Sequence, residues 1–135
     1  MRYPVVLHKD SESIYGVTVP DVPGCFSAGD TVDEALLNTS EAIECHLESL
    51  LMDGEEIPMP KTIEEYFENP DFAGGTWALV EVDVLKISGQ VRRVNVTIPE
   101  RILNRLDGFA RKRGESRSGL LSAAALEYLA AHALD

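Results

Sequence analysis

The sequence predicts an α+β chain of two modules, β-β-β-α-β followed by β-α-α. Five short β-rich runs and three stretches of helical periodicity supply the elements. Each helical stretch also carries its own start residue, and the first two carry a stop. The charge then separates the modules: residues 1–90 hold 4 Lys/Arg and 18 Asp/Glu, a net of −14, whereas residues 91–135 hold 8 and 5, a net of +3. With 135 residues, 44% hydrophobic and 26% charged, the chain can bury one ordinary core or two small ones.

The first two strands are expected at residues 3–8 (YPVVLH) and 14–20 (IYGVTVP), joined by the polar connector KDSES. A third is expected at CFSAG (25–29), after the Pro-Asp-Val-Pro-Gly turn at 20–24. Thr31 and Glu34 have capping-box spacing, in which each side chain satisfies a backbone N–H at a helix start. Val32, Leu36, Ile43, Leu47 and Leu50 then recur along one stripe, and Glu41, Glu44 and Glu48 fall on another that faces away from it. Asp53-Gly54 ends the helix, since glycine enters a left-handed C′ position without steric cost. Residues 55–75 read as a loop with one helical turn around 62–67, and WALVEVDV (77–84) as the closing strand. The polar run KISGQ (86–90) reads as a hinge between a first domain at 1–85 and a second at 91–135.

In the second domain, residues 91–98 alternate Val94, Val96 and Ile98 with Arg93, Asn95 and Thr97, so that one face of a strand is apolar and the other polar. Pro99 suits the first turn of a helix at about 99–113, whose Ile102, Leu103, Leu106, Phe109 and Ala110 share a face. Gly114 closes it. Ser116 can cap a second helix at about 117–132, in which Leu120, Leu121, Ala124, Ala125, Leu126, Tyr128 and Leu129 are apolar nearly all round.

One strand and two helices leave a row of backbone groups unpaired and a core of marginal size. Two copies that pair their strands antiparallel and bury their second helices together remove both problems. The resulting ribbon rests on Val94, Val96 and Ile98 and projects Arg93, Asn95 and Thr97 twice about a two-fold axis. Such a ribbon fits the major groove of double-stranded DNA, where Arg pairs with guanine and Asn with adenine. At the start of the second helix Ser116, Arg117 and Ser118 suit a backbone phosphate.

The run RRVNVTIPERILNRLDGFARKRGESRSGLL (92–121) resembles the ribbon-helix-helix repressors, over about 40 residues. The run YGVTVPDVPGCFSAGDTVDEALLNTSEAI (15–43), followed by GEEIPMP (54–60), resembles the HicB antitoxins. Together they imply an N-terminal partial RNase H-like domain that masks HicA, a small basic mRNA-cleaving toxin. They also imply a C-terminal ribbon-helix-helix domain that dimerises and binds operator DNA upstream of its own operon. On this reading the protein is an antitoxin and autorepressor and not an enzyme, it needs no cofactor, and joining N-terminal modules through such dimers allows a tetramer. The toxin would meet the helix face of Glu41, Glu44 and Glu48 or the loop from Asp21 to Gly24. The acidic surplus is what a module answering a basic nuclease would carry.

Other functions find less support in the residues. Asp10, Asp21, Asp30 and Asp83 are of the right type for a Mg²⁺ nuclease, but all lie in turns, loops or near strand ends. Cys45 and His46 are about 100° apart on a helix, which argues against a zinc site with Cys25 and His8. The two cysteines read as small buried or half-buried thiols and not as a disulfide framework. No G-x-S-x-G elbow supports a Ser/His/Asp triad. No apolar run approaches membrane-spanning length, and the N-terminus reaches charge too soon for a signal-peptide core, so the expected location is cytoplasmic. The alternative is a ribbon-helix-helix regulator whose acidic domain senses a small ligand.

Overall fold

The computed structural model describes residues 1–10, 14–87 and 90–132. It divides into two compact units, Met1–Val82 and Asp83–Asp135. In the first unit the strands are β1 (Arg2–Lys9), β2 (Tyr15–Thr18), β3 (Phe26–Gly29) and β4 (Thr76–Glu81), with helix α1 (Val32–Met52) between the last two. They form one antiparallel sheet in the order β3-β2-β1-β4, so β1 is central and its chain-distant partner β4 closes the sheet. Most of the connector expected at 9–13 lies outside the described residues, but Asp10 and Ile14 brace it through backbone and carboxylate bonds of 3.0 Å.

Strand pairing fixes the two faces of the sheet, because directly paired residues point the same way. Tyr3, Val5, Leu7, Val17 and Val80 share one face, and all are buried. Gly29 belongs to this face, and a Cβ there would lie 2.4 Å from the backbone nitrogen of Ala35. Helix α1 therefore sits directly on this side, and only glycine permits the approach.

Thr31 caps α1, its Oγ1 accepting from the Glu34 N–H at 3.1 Å. At the other end Gly54 has φ 72°, and the Glu55 N–H donates to the Leu50 carbonyl at 2.9 Å, a Schellman-type stop. The buried stripe is Ala35, Thr39, Ile43 and Leu47, one residue per turn, which keeps Ile43 and Leu47 of the expected stripe and replaces the rest. Val32 is exposed and Leu36 and Leu50 are only half-buried. Thr39 takes a core position because its hydroxyl donates to the Ala35 carbonyl at 2.6 Å, leaving a methyl to pack. Each fully buried aliphatic of this layer contributes about 1.5–3 kcal/mol.

The second unit begins earlier than the expected hinge. Asp83 accepts from the Leu85 N–H at 3.0 Å and caps a 3₁₀ turn, Val84–Lys86, that packs on the last helix. Within the 86–90 hinge, residues 88 and 89 lie outside the described residues. Helices α2 (Glu100–Arg113) and α3 (Arg117–Ala131) follow. Pro99 stands at the N-cap of α2, and Gly114, at φ 68°, closes it with the Glu115 N–H bonded to the Ala110 carbonyl at 2.9 Å. Acidic Glu100 at its start and Arg111, Lys112 and Arg113 at its end complement the helix dipole.

Candidate functional site

In the second unit residues 91–99 form no strand ladder, contrary to the strand expected at 91–98. A strand needs a hydrogen-bonded neighbour, and the single chain offers this segment none. Val91, Val94 and Val96 are 74%, 67% and 65% exposed, and Ile98 is half-buried. Arg93, Asn95 and Thr97 are exposed as well, and their side chains make no hydrogen bond or ion pair with any described residue. The apolar faces of the helices are also incompletely covered. Ile102, Phe109, Tyr128 and Leu129 are exposed, and within α2 and α3 Ala110 is the one residue fully buried.

The expected phosphate-binding triplet is exposed, but two of its members are already engaged. Ser116 Oγ accepts from the Gly119 N–H at 3.0 Å and caps α3, which leaves its own O–H free to donate. Arg117 forms a fork on Asp107 of α2, with Nε to Oδ1 at 2.9 Å and Nη2 to Oδ2 at 2.8 Å. The hydrogen bonds from Arg117 hold the Asp107 carboxyl below its usual range, and the same pair raises the Arg117 guanidinium further. Sequence periodicity missed Asp107, because nothing in a stripe reveals a contact between two helices ten residues apart. The fork ties α2 to α3 and leaves the Nη1 donors of Arg117 outside the pair.

In the first unit the turn Val22-Pro23-Gly24-Cys25 is closed by the Cys25 N–H to the Val22 carbonyl at 3.0 Å, with Gly24 at φ 84°. This is a type II turn, and the positive φ at its third position requires glycine. Gly24 is exposed, but Asp21 is only 8% exposed, which corrects its expected place on the surface. Its carboxylate accepts from the Tyr66 hydroxyl at 2.5 Å and from the Lys61 N–H at 3.2 Å. Burial, and then this hydrogen bond to Asp21, push the Tyr66 phenol well above its ordinary pKa. Tyr3 is raised mainly by burial, and its hydroxyl donates to the Pro58 carbonyl at 2.7 Å. Asp21 thus fastens the 55–75 segment to the body of the unit. On α1, Glu41 is exposed, whereas Glu44 and Glu48 are half-buried.

The pinned segment holds two 3₁₀ turns, Ile63–Tyr66 and Pro70–Phe72. Tyr66 stacks on Trp77 of β4 at 6.0 Å between centroids, and Phe72 and Phe67 meet the same indole edge-on at 5.7 and 6.4 Å. Cys25 is buried, which raises its thiol pKa, and Cys45 is exposed. Among the described residues no group of three or more His, Cys, Asp or Glu is arranged to hold a metal ion, and no helix is long and apolar enough to cross a membrane.

Comparison with known proteins accounts for nearly the whole chain. The crystal structure of the antitoxin HicB of Burkholderia pseudomallei is 46% identical, with a TM-score of 0.78 over 96% of this chain and 98% of that one. A 14.9 kDa protein of the rep-hol intergenic region of Haemophilus phage HP1 is 43% identical over 90% of this chain and 92% of its own length. A HicA3–HicB3 toxin–antitoxin complex contains a chain 35% identical, with a TM-score of 0.54 over 62% of this chain and 99% of that one. The family described as the HicB-like antitoxin of bacterial toxin–antitoxin systems matches residues 3–125. The match spans both units, and the chain belongs to the HicB-like antitoxin family.

Proposed function

We propose that the protein neutralises a HicA-type, mRNA-cleaving toxin through its first unit and represses its own operon through its second. The observation that carries the reading is the division of the chain into an acidic unit with its own sheet and core and a basic unit that leaves Val91, Val94 and Val96 without cover. A second copy supplies what that segment lacks: a strand partner for residues 91–98 and cover for Ile102, Phe109, Tyr128 and Leu129. In the paired form Arg93, Asn95 and Thr97 read base edges, while Ser116, the free donors of Arg117 and Ser118 hold phosphate. Joining two acidic units to each such dimer allows a tetramer when those units associate further. The similarity to a chain in a HicA3–HicB3 complex supports a toxin of that type as the partner of the first unit.

Co-expression with a small basic reading frame encoded beside this chain tests the reading. The expected result is rescue of growth and a complex that survives purification. Failure of both would remove the toxin half of the proposal.

A further inference from the structure

The Asp107–Arg117 fork stands where the proposed phosphate contact forms, and it changes the chemistry of that contact. Arg117 opens α3, and Asp107 lies in α2. The N–H groups of Arg117 and Ser118, in the first turn of α3, have no acceptor inside the helix. Ser116 Oγ is already taken by the Gly119 N–H. A guanidinium has five N–H donors, and the fork uses two of them, one on Nε and one on Nη2. The edge formed by Nη1 and the second Nη2 proton stays open, and the Arg117 side chain is 57% exposed.

The partner of that exposed cation is half-buried. Hydrogen bonds from Arg117 first, and the charges of Arg117 and Arg111 after them, keep the Asp107 carboxyl ionised. The other acid beside the cap, Glu115, is paired with Arg113 at 3.8 Å. The fork is thus a cation and an anion 2.8 Å apart, with a net charge near zero. A bare guanidinium attracts any phosphate within about a Debye length, ~10 Å at 0.1 M salt. A neutral pair attracts one chiefly at hydrogen-bonding range, where the donors must be aimed correctly. Sequence-independent binding to DNA draws on the first kind of attraction.

We infer that Asp107 sets how strongly the second unit discriminates operator from unrelated DNA. It aims the open edge of Arg117 and cancels its charge, so that this contact responds to correct register and not to mere proximity of phosphate. The inference rests on the operator-binding reading above and adds a residue and a role to it. Asp107 acts through Arg117 and is a positioning residue.

The test measures binding of the full chain, over a range of salt, to DNA from upstream of its own reading frame and to unrelated DNA. Asp107→Asn keeps the shape of the side chain and a neutral acceptor for Arg117 while removing the charge. It is expected to tighten binding to unrelated DNA by about fivefold at ~0.1 M salt, and to steepen the salt dependence by about one to two for the two copies in a dimer. Operator binding is expected to tighten by less than about twofold, because lost aim offsets gained attraction, so the ratio of the two affinities falls. In an Arg117→Gln background the same substitution is expected to change neither affinity. Glu127→Gln removes an equal charge from an exposed position of α3 and is expected to leave the salt dependence as it was. Where asparagine loosens α2, Asp107→Gln, a better helix former, repeats the measurement. Equal loss of affinity for both DNAs would make the fork a structural tie. A gain that persists without Arg117, or that Glu127→Gln reproduces, would make it an effect of overall charge. Either result, or an unchanged ratio, overturns the role of Asp107 and leaves operator binding standing. A wild-type chain with no preference for the upstream DNA would remove both.

Discussion

If the second unit pairs as proposed, the double substitution Val94→Glu and Val96→Glu is expected to keep the full chain monomeric at concentrations where the wild type dimerises. Both valines are largely exposed in the single chain, so the change costs the isolated molecule little. In the paired form each copy contributes two valines to a shared floor, four in all, and each is worth roughly 1.5–2 kcal/mol when covered. Their loss alone removes about 6–8 kcal/mol. Four carboxylates brought together in an apolar layer add repulsion and desolvation. Sedimentation equilibrium reads the result directly, and unchanged Trp77 fluorescence would show the first unit intact. A dimer that persists in this variant would place self-association elsewhere in the chain.

The second large effect is expected at Asp21. Replacing it by alanine leaves the Tyr66 hydroxyl and the Lys61 N–H without their acceptor, a loss of about 2–4 kcal/mol for two part-buried donors. The damage should begin locally, because Tyr66 holds the aromatic cluster on Trp77. Trp77 is the one tryptophan in the sequence, so its emission reports release of the 55–75 segment ahead of global unfolding in urea. A single transition with an unchanged midpoint would contradict this account of Asp21.

The element order of the first unit was legible in the sequence because its signals are local. Thr31, Asp53-Gly54 and the apolar runs mark starts, stops and strands whatever surrounds them. The details missed were tertiary. Thr39 reads as polar, yet its hydroxyl is satisfied within its own helix turn and the residue joins the core. Asp21, in a proline-flanked turn, reads as exposed until the chain forty residues later returns to cover it. Strand alternation gave Phe26 no reading, because a four-residue edge strand does not reveal which face the helix will cover. The alternation at 91–98 reads as a strand by itself, but a strand needs a hydrogen-bonded neighbour, and the single chain leaves the segment unpaired. The Asp107–Arg117 fork depends on how α2 meets α3, which neither helical stripe records.

The central claim is that two activities reside in two separate parts of one chain. Its most direct measurement compares the wild type with the variant Arg93→Ala and Asn95→Ala, following operator DNA binding by anisotropy and protection of RNA from the toxin in the same preparation. Each lost base contact is expected to cost about 1–3 kcal/mol of discrimination between operator and unrelated DNA. Toxin inhibition should remain at the wild-type level. Loss of both activities together, or unchanged operator discrimination, would contradict the account.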